Sequence, residues 1–319
     1  MVPSLTRRQV LAGGIAGVSA LLAPWELGAA ASTTPASASG TISIGGDLLV
    51  NRLGFGAMRI TGPDIGGAPK DPAEARRVLH RALDLGVNFI DTADTYGPFV
   101  SELLIAETLY PYPRGLVIAT KGGLVRPSAS GVSTPDGRPA HLREACEASL
   151  KRLRLERIDL YQFHRIDPNI PLEESIGELA RLQKEGKIRH VGVSNFNVDE
   201  FARARKVVPV VSVQNRYNVA DRASEDVLAV CAREGLAFIP WAPIADGSAE
   251  WLERDTSGQR LAGVAKARGV SVLQLAIAWL LAKSPAILPI PGTSSVAHLD
   301  ENVAAAQLKL TATEMALIG

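Results

Sequence analysis

Four residues with ionisable side chains stand at or just beyond the ends of apolar runs. Asp91 closes Asn88-Phe89-Ile90-Asp91, and Tyr96 follows five residues later beside Gly97. Lys121 closes Ile118-Ala119-Thr120-Lys121, and His164 closes Leu160-Tyr161-Gln162-Phe163-His164. A carboxylate, a phenol, an ammonium group and an imidazole can together hold, give and accept a proton. Singly, each has a plainer reading: Asp91 as a helix cap, Tyr96 as a loop aromatic, Lys121 as a solvated charge, His164 as a satisfied polar residue. Asp94, lying between the first two, has no role beyond a loop carboxylate. The choice between chemistry and the plainer readings turns on whether the fold brings these run ends together.

The runs recur in a regular order. Apolar stretches at 53–58, 87–91, 116–120, 158–163, 188–193, 210–214, 237–241 and 286–290 read as eight strands, each followed by a polar loop and an amphipathic helix. Helical stripes run through Leu142, Cys146, Ser149, Leu150 and Leu153, through Leu172, Ile176 and Leu179, and through Leu273, Ala276, Ile277 and Leu280. Asp71-Pro72 reads as an N-cap with proline at the first helical position, and Gly86, Gly186, Gly235 and Gly269 fall where helices should stop. Ahead of the repeat, Thr41-Ile42-Ser43-Ile44 and Leu48-Leu49-Val50 flank Gly45-Gly46-Asp47 as a β-hairpin. Eight strand–helix units are the count of a (β/α)8 TIM barrel in the α/β class. A doubly wound open sheet is the rival, but no Gly-x-Gly-x-x-Gly turn follows a strand. In a barrel the reactive groups come from the C-terminal strand ends, where neighbouring strands lie ~4.8 Å apart. Asp91, Tyr96, Lys121 and His164, on three consecutive strands, then share one mouth, and the plainer readings lose their force.

From about Ile44 to the C-terminus the chain resembles the aldo-keto reductase family. The resemblance is carried by Gly86-Val87-Asn88-Phe89-Ile90-Asp91-Thr92-Ala93 with Tyr96-Gly97, Ala119-Thr120-Lys121, Phe163-His164, Gly192-Val193-Ser194-Asn195-Phe196, Gln214, and Pro289-Ile290-Pro291-Gly292-Thr293-Ser294. It implies a (β/α)8 barrel capped at the bottom by an N-terminal β-hairpin, and reversible hydride transfer between NADP(H) and a small carbonyl compound. Tyr96 would then be the proton donor, with Lys121 lowering its pKa, Asp91 holding Lys121, and His164 orienting the carbonyl and sharing in proton transfer. The resemblance further implies that Ser194, Asn195 and Gln214 hold the nicotinamide carboxamide and that Trp241 stacks on the ring. Gly292, Thr293, Ser294, His298 and Asn302 would serve the phosphate and adenine end, with an anion site ahead of a helix beginning near Val296. His298 stands where many members carry an arginine, and a neutral imidazole cannot imitate a guanidinium fork. NADP(H) is expected ahead of NAD(H), with a weakened preference. The segment 242–247 would close over the pyrophosphate, with Asp246 bringing a negative charge toward it. The Gly-, Ser- and Pro-rich loop 122–139 is expected to form a movable wall of a rather open site. A barrel that binds the nucleotide in a sensory role with little turnover is the alternative reading.

Composition bounds the partners. With 34 Lys and Arg against 33 Asp and Glu in 319 residues, the net charge is +1 and no basic run stands out, so nucleic acid is not an expected partner. Cys146 and Cys231 lie in helical stripes and read as packing residues; no metal site is expected. Thr6-Arg7-Arg8-Gln9-Val10-Leu11, the uncharged run to Leu22 and Ala29-Ala30-Ala31 together look like a twin-arginine export signal over residues 1–31. The run is shorter than the ~20 residues of a spanning helix, so no stable membrane insertion of the mature chain is expected. An uncleaved anchor or a plain tail stays open for this segment. Residues 32–40 read as a linker, and 41–319 as the barrel. The expected location is periplasmic or extracellular, reached through the twin-arginine machinery, or cytoplasmic if the signal is inefficient.

Overall fold

The computed structural model describes residues 34–244 and 256–319. The proposed signal over 1–31 and the residues Ala245, Asp246 and Gly247 lie outside these ranges. Two strands, β1 (Thr41–Ile44) and β2 (Leu48–Asn51), pair antiparallel with Ile44 opposite Leu48, which is the expected hairpin. There follow β3 (Phe55–Gly56), β4 (Phe89–Asp91), β5 (Val117–Gly122), a small antiparallel pair β6 (Leu124–Val125) and β7 (Thr134–Pro135), then β8 (Ile158–Phe163), β9 (Ile188–Ser194), β10 (Val210–Gln214) and β11 (Ala237–Phe238). Seven of these form one sheet in the order β11-β10-β9-β8-β5-β4-β3, with every neighbouring pair parallel.

The expected eighth strand, 286–290, is not a regular ladder strand. It still closes the curl. Phe238 donates to Ala286 O and accepts from Leu288 N on one side, while Gly54 N and Gly56 N donate to Pro289 O and Pro291 O on the other. Pro289 and Pro291 have no N–H to give, so this segment accepts along its β3 side without completing a two-way pairing. Close approach here needs glycine: a Cβ on Gly56 would stand 2.5 Å from Ile290 O.

Side-chain alternation sorts the core into layers. Phe89, Val117, Ala119, Leu160, Ala237, Leu288 and Ile290 fill the barrel together with Ile44, Leu48 and Val50, so the hairpin plugs one end of that apolar column. Tyr161, Phe163, Val191 and Val193 point the other way, against Leu142, Cys146, Leu172, Ile176 and Leu179 of the outer helices. Asp71 caps the helix Pro72–Asp84 by accepting from Glu74 N, and Gly86, Gly186, Gly235 and Gly269 all take positive φ past helix ends. Both cysteines are buried and free, with burial pushing each thiol up to about 12. Within the supposed linker, Pro35–Ser39 forms a 3-10 turn whose Ala36 is buried and donates to Leu85 O. Ala36 and Ser39 are its buried residues.

Candidate active site

The last inward-facing position of four strands is polar: Asp91 on β4, Lys121 on β5, Gln162 on β8 and Gln214 on β10, all 2% exposed or less. Asp91 Oδ1 accepts from Lys121 Nζ at 2.5 Å. Its Oδ2 accepts from Gln162 Nε2 and Gln214 Nε2, each at 2.8 Å. A carboxylate can only accept, so both amides must turn their nitrogen toward it. Lys121 Nζ also donates to Thr92 O at 2.9 Å and to the Tyr96 hydroxyl at 3.4 Å, and it lies 5.1 Å from the centre of that ring. The Tyr96 and His164 rings meet edge to face at 6.2 Å. The expected four groups are therefore together at one barrel mouth.

The loop that carries Tyr96 is held by its backbone. Gly97 N donates to Ile65 O, and Gly67 N to Gly97 O. Gly97 takes φ +105°, and a Cβ there would sit 2.3 Å from Val100 Cβ. Ile65 lies at φ +64°, a conformation costing a β-branched residue about 1–3 kcal/mol, and it faces the cavity.

Burial sets the protonation states. It alone would push the Lys121 ammonium down, but Asp91 and Tyr96 beside it outweigh that and leave it above the usual lysine range. For Tyr96 the loss of water around the phenol wins over the nearby Lys121 charge, and the hydroxyl lies above the usual tyrosine range. The expected lowering by Lys121 is present as an effect and is outweighed. Burial, then the charges of Lys121 and Arg165, hold His164 well below the usual histidine range, so its ring is neutral. A neutral imidazole can donate or accept one hydrogen bond and is no cationic acid, which narrows its expected share in proton transfer. Its Nδ1 is buried without a partner. Asp94 is buried too, with Oδ1 unpartnered, and burial followed by the Glu102 charge holds its carboxyl well above the usual range.

A cavity of about 710 Å³ opens over this floor, lined by Asp91, Tyr96, His164, Ser194, Asn195, Gln214, Trp241 and Gly292 among others. Asn195, at φ +61°, donates through Nδ2 to His164 O and Ser194 Oγ and accepts at Oδ1 from Trp241 Nε1 at 3.0 Å. Gln214 spends its nitrogen on Asp91 and on Gln162 Oε1. A carboxamide ligand would find Ser194 Oγ, the remaining lone pair of Asn195 Oδ1 and Gln214 Oε1, which is enough to fit a nicotinamide with acceptors predominating. The phosphate end is less well provided. Thr293 is buried with its hydroxyl accepting from Ser295 N, Asn302 is buried, Ser294 and His298 are exposed, and none of these lines the cavity. The expected anion site ahead of the helix Val296–Ala304 already receives a carboxylate: Glu74 Oε1 accepts from Val296 N at 2.9 Å. That contact, with Arg77, holds Glu74 below the usual glutamate range.

Residues 52–319 match the Aldo/keto reductase family. The chain belongs to that family. It is 49% identical over 283 residues to an uncharacterized oxidoreductase of Schizosaccharomyces pombe, covering 89% of this chain and 90% of the relative. It is 42% identical over 268 residues to pyridoxine 4-dehydrogenase of Escherichia coli, covering 82% and 91%. Among solved structures, the glycerol dehydrogenase of Gluconobacter oxydans superposes with a TM-score of 0.78 at 29% identity over 88% of this chain and 94% of that one. An aldo/keto reductase of Klebsiella pneumoniae in complex with NADP and acetate gives 0.72 at 29% identity over 87% and 93%. This aldo/keto reductase is thus an oxidoreductase with the barrel fold and hairpin of its relatives.

Sequence reasoning missed several contributors to the site. Gln162 was visible as a polar residue inside an apolar run, one position before Phe163, which is the signal of an inward polar group in a buried strand. Glu74 reads as an ordinary first-turn acid, and only the packing of two helix starts reveals its second partner. Arg59, from the 3-10 turn Ala57–Ile60, and Arg126, Arg165 and Arg216, from three different loops, line the cavity and carry no local signal.

Proposed function

We propose that this aldo/keto reductase reversibly reduces aldehydes or ketones to alcohols using a nicotinamide nucleotide, with Tyr96 as the general acid. The observation that carries the proposal is the buried chain from Asp91 through Lys121 to the Tyr96 hydroxyl, opening on a cavity that also holds His164. A bound reduced nicotinamide supplies the hydride. Tyr96 holds its proton through the neutral range and releases it when negative charge develops on the substrate oxygen. The Lys121 ammonium, fixed by Asp91 and Thr92 O, stabilises the phenolate so formed. His164, neutral, orients the carbonyl oxygen by one hydrogen bond. Ser194, Asn195 and Gln214 hold the carboxamide, and Trp241 offers a ring face.

NADP(H) is favoured over NAD(H) because the Klebsiella pneumoniae relatives bind NADP and NADPH. Glu74 and His298 limit that preference, and Gly292, Thr293 and Ser294, ahead of the helix Val296–Ala304, and Asn302, within it, supply what contacts they can. Pyridoxine and glycerol, named in two relatives, are the first alcohols to try in the oxidative direction. The test is to load the purified chain with reduced nicotinamide nucleotide and follow its absorbance as aldehydes are added. Decay that depends on both supports the reading, and a bound signal that no carbonyl discharges rejects it. We further propose that residues 1–31 direct export of the nucleotide-loaded chain through the twin-arginine route, supported by Arg7-Arg8 and the uncharged run after them. Fractionation of a tagged chain against its Arg7→Lys/Arg8→Lys form checks this, and equal export of both would reject it.

A further inference from the structure

The cavity wall is one-sidedly charged. Arg59, Arg126, Arg165 and Arg216 line it, and the only carboxylate among the described lining residues is Asp91, whose charge is spent on Lys121 and two amides. The four cations divide by position. Arg216 pairs with Asp221 at 2.8 Å and lies over the Trp241 ring, and the Arg59 side chain runs past Gly292, so both belong to the side proposed for the nucleotide. The other two belong to the substrate side. Arg165 directly follows His164, is exposed, and enters no ion pair among the described residues. Arg126 follows β6, whose hairpin also puts Leu124, Val132 and Pro135 on the wall.

Arg126 is held by neutral acceptors, donating to Asp64 O at 2.8 Å and Ala129 O at 2.9 Å, so its position is fixed while its charge stays uncancelled. Its Nε is buried and has no partner. Leaving a buried guanidinium donor unsatisfied is costly, and a ligand oxygen is the group that relieves it.

We infer that Arg126 and Arg165 recognise an anionic group, a carboxylate or a phosphate monoester, carried by the carbonyl substrate. The inference rests on the reductase reading and names the substrate class of that site. A planar guanidinium fork suits either anion, while the apolar wall of Ile65, Leu124 and Val132 suits the carbon frame between anion and carbonyl. At the cavity mouth such a contact raises the capture of a charged substrate over its neutral isostere, and salt weakens it.

The test compares 4-carboxybenzaldehyde with its methyl ester, and glyceraldehyde 3-phosphate with glyceraldehyde, at low and high salt with saturating NADPH. The expected result is a kcat/KM at least about tenfold higher for the charged member of one or both pairs, shrinking with salt, with the ratio cut about tenfold in Arg165→Gln. The pair that shows the advantage identifies the anion. In parallel, calorimetry measures binding of 4-(hydroxymethyl)benzoate and its methyl ester to the NADP-loaded protein, a readout that needs no turnover. Tighter binding of the acid, lost in Arg165→Gln, upholds the inference even if no aldehyde is reduced, in which case the reductase reading alone falls. Equal or weaker binding and turnover of the charged members overturns it. Should Arg126→Gln loosen the wall it clasps, Arg165→Gln, which breaks no described structural bond, still decides.

Discussion

The two ends of the barrel carry charge pairs of similar geometry in opposite surroundings. At the hairpin end Asp47 receives Arg189 and His190, each at 2.6 Å, with the Asp47 side chain 48% exposed. At the mouth Asp91 receives Lys121 at 2.5 Å with neither side chain more than 2% exposed. Water screens the first set, which is worth at most about 1 kcal/mol. The second has lost its water, so attraction and desolvation nearly cancel, and its value lies in fixing where one ammonium nitrogen stands. A short distance does not distinguish a clamp from a catalytic charge; burial and the third partner do. Asp47 ties down a turn, whereas Lys121 reaches past Asp91 to a phenol.

Tyr96→Phe should have the largest effect, cutting turnover by ~10² to 10⁴ in steady-state assays while leaving the dissociation constant for NADPH nearly unchanged. Lys121→Met should come next, lowering the free energy of urea unfolding by about 3–5 kcal/mol, because Asp91 then stays buried with only amide partners. A loss under 1 kcal/mol would mean that the mouth pair behaves like the hairpin pair. Glu74→Gln should shift nucleotide choice toward NADP+ over NAD+ by about two- to fivefold in calorimetric affinity, since it removes a carboxylate charge from a helix start. The smallest effect belongs to Asp47→Asn. His190 and Arg189 hold the Asp47 carboxyl below the usual aspartate range. Its contribution is therefore complete above the unfolded value of about 4 and is lost as pH falls through the lower folded value. The variant should lose at most about 1 kcal/mol at pH 7, and the difference from wild type should vanish in acid.

The contrast also explains how much could be read from the sequence. Strand ends and helix stops are local: apolar runs, Asp71-Pro72 and the glycines at positive φ mark them, and seven of the eight barrel strands follow the runs. The eighth was misjudged in kind because Pro289 and Pro291 remove donors from a stretch whose apolar character is otherwise that of a strand. The catalytic candidates were legible because their chemistry repeats at successive strand ends. What could not be read depends on non-local packing. Nothing near Val296 says that Glu74, 222 positions away, caps it. Asp94 looked like a loop carboxylate because burial leaves no mark on a single polar residue, yet it is buried and partly unpartnered, with desolvation holding its carboxyl well above the usual range. The direction of the Tyr96 shift was misjudged for the same reason: the Lys121 charge is visible in the sequence, and the desolvation that outweighs it is not.

The central claim is that the mouth keeps Lys121 charged and Tyr96 protonated until reaction places negative charge beside the phenol. The most direct test is the tyrosinate difference spectrum between wild type and Tyr96→Phe in the nucleotide-free protein as pH is raised. No ionisation attributable to Tyr96 should occur below about pH 10, the ordinary tyrosine value. A phenolate forming between about pH 7 and 9 would show that the Lys121 charge prevails over burial and would contradict the account.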